Sequence, residues 1–240
     1  MATSGTFNFA LDIHEVIEEA WDIAGLEIKG GYDLKSTVRS LNLLLTEWVN
    51  KGINLWTVDQ LTTSLTANDN TYTLNAKVVD LIDTVVRDSN NTDVSTTRIS
   101  MAEYLSYPTK STSGKPTQLA LERNASGGHT LYTYPTADVS TYSLISWAII
   151  YPEDAGKYTD NPAVPRRFLP ALVNGLAYKL ALKNPAQAMS DGQGNMTSVN
   201  GVSADRRAEL KGLYLETMAE AVMEDRERTS FLLVPSASSG

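Results

Sequence analysis

Residues 41–56, with the sequence LNLLLTEWVNKGINLW, mark the point at which the chain changes from one kind of secondary structure to another. Leu41, Leu45 and Trp48 are spaced by four and then three residues, which is typical of a narrow helical seam. Gly52 follows this seam, and glycine is the usual residue just past a helix end. The chain beyond it is rich in Thr, Ser, Tyr and Val and is broken by Asn-, Gly- and Pro-containing turns, which indicates short strands. This stretch therefore divides a helical part of the chain from a β-rich part.

Two helices are expected in the first fifty residues. Residues 12–24 carry their apolar side chains at helical spacing, and Asp12 and Glu15 are spaced as a capping box. A second helix is expected over residues 33–51, with Asp33 as its N-cap. Because the connection between the two helices is short, we expect them to be antiparallel neighbours.

The central hundred residues predict an antiparallel β sandwich or small barrel. Residues 142–151 are apolar on both faces, which predicts a central strand covered on each side. Residues 78–88 could also form a helix, since short apolar runs are ambiguous. The expected strands are residues 55–66, 71–74, 78–87, 119–123, 130–134 and 142–151.

Helical spacing returns in the last third of the chain. A third helix is expected to begin between Pro165 and Pro170, because proline is tolerated only in or before a first helical turn, and to end at Pro185. Residues 189–201 are polar and glycine-rich and predict a mobile loop. A fourth helix is expected over residues 203–228.

These patterns predict an α+β fold in which N- and C-terminal helices build a helical bundle with an inserted antiparallel β-rich domain of sandwich or barrel type. Residues 1–52 and 154–229 are expected to form the two halves of the bundle, and residues 53–153 the insert. Residues 230–240 are expected to form a C-terminal docking tail.

Composition narrows the class of protein. The chain has 240 residues, a formal net charge of −8 and no cysteine, which excludes disulfides and thiol chemistry. An acidic chain is not expected to bind DNA over much of its surface, because that requires basic contacts to phosphate. We also expect no secretory signal and no membrane contact, since apolar runs of the necessary length are lacking.

The sequence predicts neither an enzyme nor a cofactor or metal site. His14 and His129, the two histidines, lack a second ligand at metal spacing and are expected at the surface. SGKP at 113–116 lacks the spacing of a phosphate loop, and DSNNTD at 88–93 lacks the glycine of a calcium loop. Carboxylates such as Glu15 lie on helices whose polar face is expected to be solvated.

Four consecutive apolar residues near the end of the sequence indicate a buried contact. Phe231, Leu232, Leu233 and Val234 follow a mixed-charge run and precede a Pro-Ser-Ala-Ser-Ser-Gly end. They are expected to pack either on their own bundle or on a neighbouring subunit or other partner protein, so they are the candidate partner-binding residues.

Several segments follow one another in a characteristic order. They are LNLLLTEWVNKGINLW at 41–56, VVDLIDTVVR at 78–87, RISMAEYLSYPTK at 98–110, GKPTQLALER at 114–123, TLYTYP at 130–135 and PRRFLPALVNGLAYKLALKNP at 165–185. In this order they resemble the podophage head-to-tail adaptor family, also described as connector or tail tubular protein A-like. The resemblance covers about residues 10–185.

This resemblance implies a virion structural protein at the head–tail junction, made in the host cytoplasm. It implies a homo-oligomeric ring of twelve copies between the portal protein and the tail nozzle protein. Such a ring helps to seal the capsid and forms part of a channel through which DNA passes without specific binding. The resemblance also implies that the C-terminal segment contacts the portal.

Two other readings stay open from the residues alone. One is a virion or surface binding module for a receptor or glycan, with Tyr132, Tyr134 and Tyr142 as exposed stacking residues. The other is a cell-wall hydrolase that uses a pair of carboxylates.

Overall fold

The computed structural model of the chain describes residues 9–28, 30–53, 55–125, 128–190, 196–199 and 201–224. It is a mixed α+β protein with short 3-10 turns at Leu55–Thr57 and Arg166–Phe168. The elements in chain order are α1 (Ile13–Ala24), α2 (Gly31–Asn50), β1 (Val58–Ser64), β2 (Thr71–Thr73), β3 (Val78–Arg87), β4 (Asp93–Ser95), β5 (Thr97–Ile99), α3 (Met101–Ser106), β6 (Ser113–Gly114), β7 (Gln118–Glu122), β8 (Thr130–Tyr134), β9 (Thr136–Ala137), β10 (Ser143–Ile150), α4 (Leu169–Lys183), β11 (Gln187–Ser190), β12 (Met196–Val199) and α5 (Ala204–Glu224).

The chain forms two compact units. One is Thr46–Glu153, which carries β1 to β10 and α3, and the other is formed by the chain on both sides of it. We call them the β unit and the helical unit. Helix α2 runs through the division between them.

Helix α1 begins and ends as its sequence predicts. The Asp12 Oδ1 atom accepts from the Glu15 backbone N–H at 2.8 Å, and Glu15 Oε2 accepts from the Asp12 N–H at 2.9 Å. Gly25 ends the helix with φ of 67°, a conformation that costs glycine little. The apolar stripe between these caps, which includes Ile13 and Ile17, is buried.

Helix α4 is the centre of the helical unit. It packs extensively on both α1 and α5. Its Leu172, Leu176 and Leu180 are fully buried. The predicted start between Pro165 and Pro170 is confirmed, because Pro165 caps the short 3-10 turn and Pro170 lies in the first turn of α4, where its missing N–H costs nothing.

Two sequence expectations for the helical unit are corrected. Asp33 is not an N-cap, because α2 begins at Gly31 and Asp33 lies in its first turn, where a carboxylate also suits the helix dipole. Residues 189–201 are not simply a loop, because β11 and β12 pair antiparallel there. Backbone hydrogen bonds pair the two strands, and such bonds do not require the alternating apolar residues by which a strand is recognised in a sequence.

Two four-stranded sheets build the β unit. Their orders are β1-β10-β3-β4 and β2-β8-β7-β5. The inner faces of both sheets contribute to one hydrophobic core, as in a sandwich. Its buried members are Leu65, Tyr72, Leu74, Val78, Leu81, Val86, Leu119, Leu131, Ala137, Leu144 and Ala148.

The predicted central strand is β10, which lies between β1 and β3. Its inner face is buried, but Trp147 on the other face is 49% exposed, so the expectation that both faces are fully covered is wrong. The helical alternative for residues 78–88 is also wrong, because β3 occupies Val78–Arg87.

The β unit is not purely antiparallel. Strand β5 pairs parallel with β7, and β6 pairs parallel with β9. A parallel pair needs a crossover connection, and the chain that includes α3 and β6 supplies it between β5 and β7.

Candidate interaction surfaces

The candidate partner-binding residues Phe231, Leu232, Leu233 and Val234 lie outside the described residues. The surfaces that the structure does describe are a groove in the helical unit and the exposed face of the β unit.

An open groove lies between α1 and the beginning of α4, with a volume of about 800 Å³. Its floor is apolar, because Leu169 and Val173 line it and are almost fully buried. Ile23 adds a half-buried apolar side chain from α1. Phe9 lines the same groove and is 58% exposed, with the Arg166 guanidinium 5.1 Å from its ring centroid. We call this feature the α1–α4 groove.

The rim of the α1–α4 groove is acidic. Its carboxylates on α1 are those of Glu15, Glu18, Glu19 and Asp22, whereas Arg166 is the one cation among the described residues that line the groove. Glu15 is held in the capping box, and Glu18 lies 3.5 Å from His14. An apolar floor under a carboxylate rim suits a segment that combines apolar and basic side chains.

The outer face of the β unit exposes apolar side chains beside a bulge. The register between β10 and β3 pairs Trp147 with Asp83 and Ala148 with Leu81, so Ile82 has no partner in the register. Ile82 is 57% exposed and Trp147 is 49% exposed. The bulge therefore places two large apolar side chains where a partner protein can reach them.

Asp80 forms a charge cluster in the β unit. Arg98 Nη2 lies 2.9 Å from Asp80 Oδ1, and Arg123 pairs with the other carboxylate oxygen. Burial raises the pKa of Asp80, but hydrogen bonds from Arg98 and the Leu81 N–H, with the two guanidinium charges, outweigh it. The pKa consequently lies below its ordinary value of 3.8. Asp80 is therefore a carboxylate held ionised by structure, which does not suit a proton-transfer group at neutral pH.

The tyrosines proposed as stacking residues are engaged within the β unit. The Tyr132 ring packs 5.1 Å from that of Tyr104, and its hydroxyl donates to Glu122 Oε2 at 2.9 Å. The rings of Tyr134 and Tyr107 lie 4.4 Å apart. Tyr142 lies under the Lys115 ammonium. None of these three tyrosines is fully exposed, so they offer little free aromatic surface to a glycan.

The two histidines lie in different environments. His14 is exposed, as the sequence predicts. His129 is buried instead, and its Nδ1 atom accepts a hydrogen bond from the Asn124 backbone N–H at 3.1 Å. Across the described ranges, no three His, Asp or Glu side chains are placed to hold a metal ion. Lys115 of the SGKP segment pairs with Asp88 at 3.4 Å. No helix in the described part of the chain is long and apolar enough to cross a membrane.

A family model described as SU10 adaptor protein matches residues 13–230, and so covers segments of both units. The chain belongs to the SU10 adaptor family. No curated protein matches it. This is a phage head–tail adaptor family, so the adaptor is a structural component of the virion that interacts with other head and tail proteins. The α1–α4 groove and the bulge face of the β unit are its described candidates for those interactions.

Sequence reasoning missed the α1–α4 groove of this adaptor. The signal was present, since Glu15, Glu18, Glu19 and Asp22 repeat at helical spacing on one side of α1. The same spacing describes an ordinary solvated face. Only the packing of α1 beside the first turns of α4 turns this face into the rim of a groove.

Proposed function

We propose that this adaptor assembles into a homo-oligomeric ring of twelve copies between the portal protein and the tail nozzle protein of a podophage. In this position the ring would seal the filled capsid and form part of the DNA channel, without enzymatic activity. The match to the SU10 adaptor model over residues 13–230 carries the proposal, because that model describes a phage head–tail adaptor family.

The helices support an assembly role for the helical unit. Helices α1, α2, α4 and α5 are proposed to act as a bundle that meets the portal and the neighbouring copies, while the β unit is proposed to face the tail. The apolar residues 231–234 are proposed to contact the portal or a neighbouring subunit, because a run of this kind is costly to leave in water.

The charge of the chain is compatible with a DNA channel. Its formal net charge is −8, and a like-charged wall repels the phosphate backbone rather than binding it. DNA can then pass the ring without a specific contact that would slow it.

Native mass spectrometry tests the assembly directly. The purified protein is measured alone and after mixing with purified portal rings, and the mass of the complex gives the number of copies bound. We expect a monomer alone and a symmetric complex with twelve copies on the portal. If the protein stays monomeric and does not bind the portal at any concentration, the proposal is wrong. If a symmetric complex forms with a different number of copies, only the proposed stoichiometry is corrected.

A further inference from the structure

Helix α5 runs toward the α1–α4 groove. Asn174, which lines the groove, donates from Nδ2 to Thr217 Oγ1 on α5 at 3.4 Å. A Cβ atom added at Gly175 would lie 2.8 Å from the ring of Tyr214, so Gly175 faces Tyr214. Residue numbers therefore fall along α5 where they rise along α4, which means that the two helices are antiparallel. Helix α5 also contacts the Arg166–Phe168 turn, which supplies a groove residue. The C-terminal end of α5 therefore lies beside the groove.

The chain beyond α5 is long enough to enter the groove. Residues 225–230 separate α5 from the apolar segment 231–234, and six extended residues span roughly 20 Å. Thr217, at the edge of the groove, precedes the last residue of α5 by about 10 Å of helix rise. A connector of this length can return an apolar segment to the groove floor.

The chemistry of the segment matches that of the groove. The sequence FLLV at 231–234 suits the apolar floor formed by Leu169 and Val173. The connector carries Asp225 and Glu227 as well as Arg226 and Arg228, so its net charge is zero. In an extended chain, however, alternate residues face the same side, so both arginines can face the acidic rim while both carboxylates face water.

We propose that the α1–α4 groove binds residues 231–234 of the same chain while the protein is unassembled. The apolar side chains cover the groove floor, and Arg226 and Arg228 face the rim carboxylates Glu19 and Asp22. The groove then protects an apolar segment that would otherwise be exposed to water before assembly. If residues 231–234 contact the portal in the virion, as proposed above, they must leave this groove during assembly.

The absence of cysteine from the sequence permits a clean cross-linking experiment. The full chain is made with Ser230→Cys, next to the apolar segment, and Pro170→Cys, at the exposed rim of the groove. The matched control carries Ser230→Cys with Leu182→Cys, which is also exposed on α4 but lies about 18 Å farther along the helix. Both proteins are oxidised at low concentration without portal, and the disulfide-linked peptides are quantified by mass spectrometry.

We expect the intramolecular disulfide to form at least tenfold faster with Pro170→Cys than with Leu182→Cys. Adding Phe231→Asp and Leu233→Asp should reduce the faster rate to that of the control. Equal rates in the two proteins overturn the proposal, because they show a tail that does not prefer the groove. Faster disulfide formation between two copies also overturns it and assigns the groove to a second molecule. If Pro170→Cys does not fold by circular dichroism, Glu18→Cys, exposed on α1, replaces it on the opposite rim.

This test is independent of the ring proposal. It uses the isolated protein, so a failure leaves the native mass experiment with the portal unaffected. Conversely, the cross-linking experiment can succeed while the protein fails to bind the portal. That combination would contradict only the ring proposal.

Discussion

Trp21 on α1 donates its indole N–H to the hydroxyl of Thr37 on α2 at 3.0 Å, and both side chains are buried. The Thr37 hydroxyl donates in turn to the Asp33 carbonyl oxygen at 2.8 Å. These two hydrogen bonds give the buried indole N–H an acceptor that water could not supply. They also fix how α1 and α2 are aligned along each other, which their apolar stripes alone would leave open.

Removing the Thr37 hydroxyl should destabilise the helical unit. Thr37→Val keeps the shape of the side chain but leaves the Trp21 N–H without its acceptor, so we expect a loss of about 1–3 kcal/mol in the free energy of unfolding. Urea unfolding followed by far-ultraviolet circular dichroism measures the loss. Thr37→Ser, which keeps the hydroxyl, is the control and should lose less. If Thr37→Val is as stable as the parent, water or another group accepts the indole bond.

Gly175 should not tolerate even one added methyl group. A Cβ atom there would lie 2.8 Å from Tyr214 and 3.0 Å from Leu44, and both of these side chains are buried. We expect Gly175→Ala to lower the free energy of unfolding by about 1–3 kcal/mol, because the two side chains must move in a packed interior. Thermal unfolding of the purified variant measures the change.

Gly212 on α5 provides the matched control for that substitution. It also lies in a helix, but a Cβ atom added there meets no atom within 4 Å. Gly212→Ala should therefore stabilise the protein by roughly 0.5–1 kcal/mol, because alanine has the higher helix propensity. Equal effects at the two positions would mean that packing at Gly175 is looser than the distances indicate.

Local chemistry explains which parts of the fold the sequence could predict. The capping box of Asp12 and Glu15 acts within one helical turn, so the pattern determines the start of α1 without help from distant residues. The apolar residues of Val78–Arg87 fit a helix as well as a strand, and it is the pairing with β10 and β4 that makes this segment a strand. The parallel pairing of β5 with β7 depends instead on how α3 carries the chain across the sheet, and no local pattern specifies that route.

The candidate site shows the same division. Residues 231–234 stand out in the sequence because four apolar residues follow a charged run. The neighbouring residues do not determine which surface these four side chains contact. The α1–α4 groove requires side chains from two helices separated by more than a hundred residues of chain, such as Glu19 and Val173. Its two sides become one surface only after folding.

The Asp80 cluster should make stability depend on pH in the acid range. Since the folded pKa of Asp80 lies below its ordinary value of 3.8, its ion pairs contribute fully above that value and are lost as the pH falls through the folded pKa. Asp80→Asn removes them, and because both arginines are about half exposed we expect a loss of roughly 0.5–1 kcal/mol at pH 7.

The pH profile distinguishes this effect from a change in packing. The difference in free energy of unfolding between the parent and Asp80→Asn should be constant above about pH 5 and shrink toward zero at more acid pH, where Asp80 of the parent is protonated. Glu103→Gln, an exposed carboxylate on α3 outside the cluster, should produce no comparable profile. A difference that persists unchanged in acid would assign the loss to geometry rather than charge.

Deleting residues 230–240 should separate assembly from folding. The hydrophobic core of the β unit is built from residues between 65 and 148, and a docking segment is not part of the core of the helical unit, so we expect circular dichroism and the unfolding temperature to change little. Binding to portal rings, measured by native mass spectrometry, should weaken because the proposed apolar contact is lost. A deletion of residues 236–240 alone keeps Phe231, Leu232, Leu233 and Val234 and should bind as the parent does. If the longer deletion unfolds or aggregates the protein, these residues belong to the core of the helical unit, and their role as a docking segment is wrong.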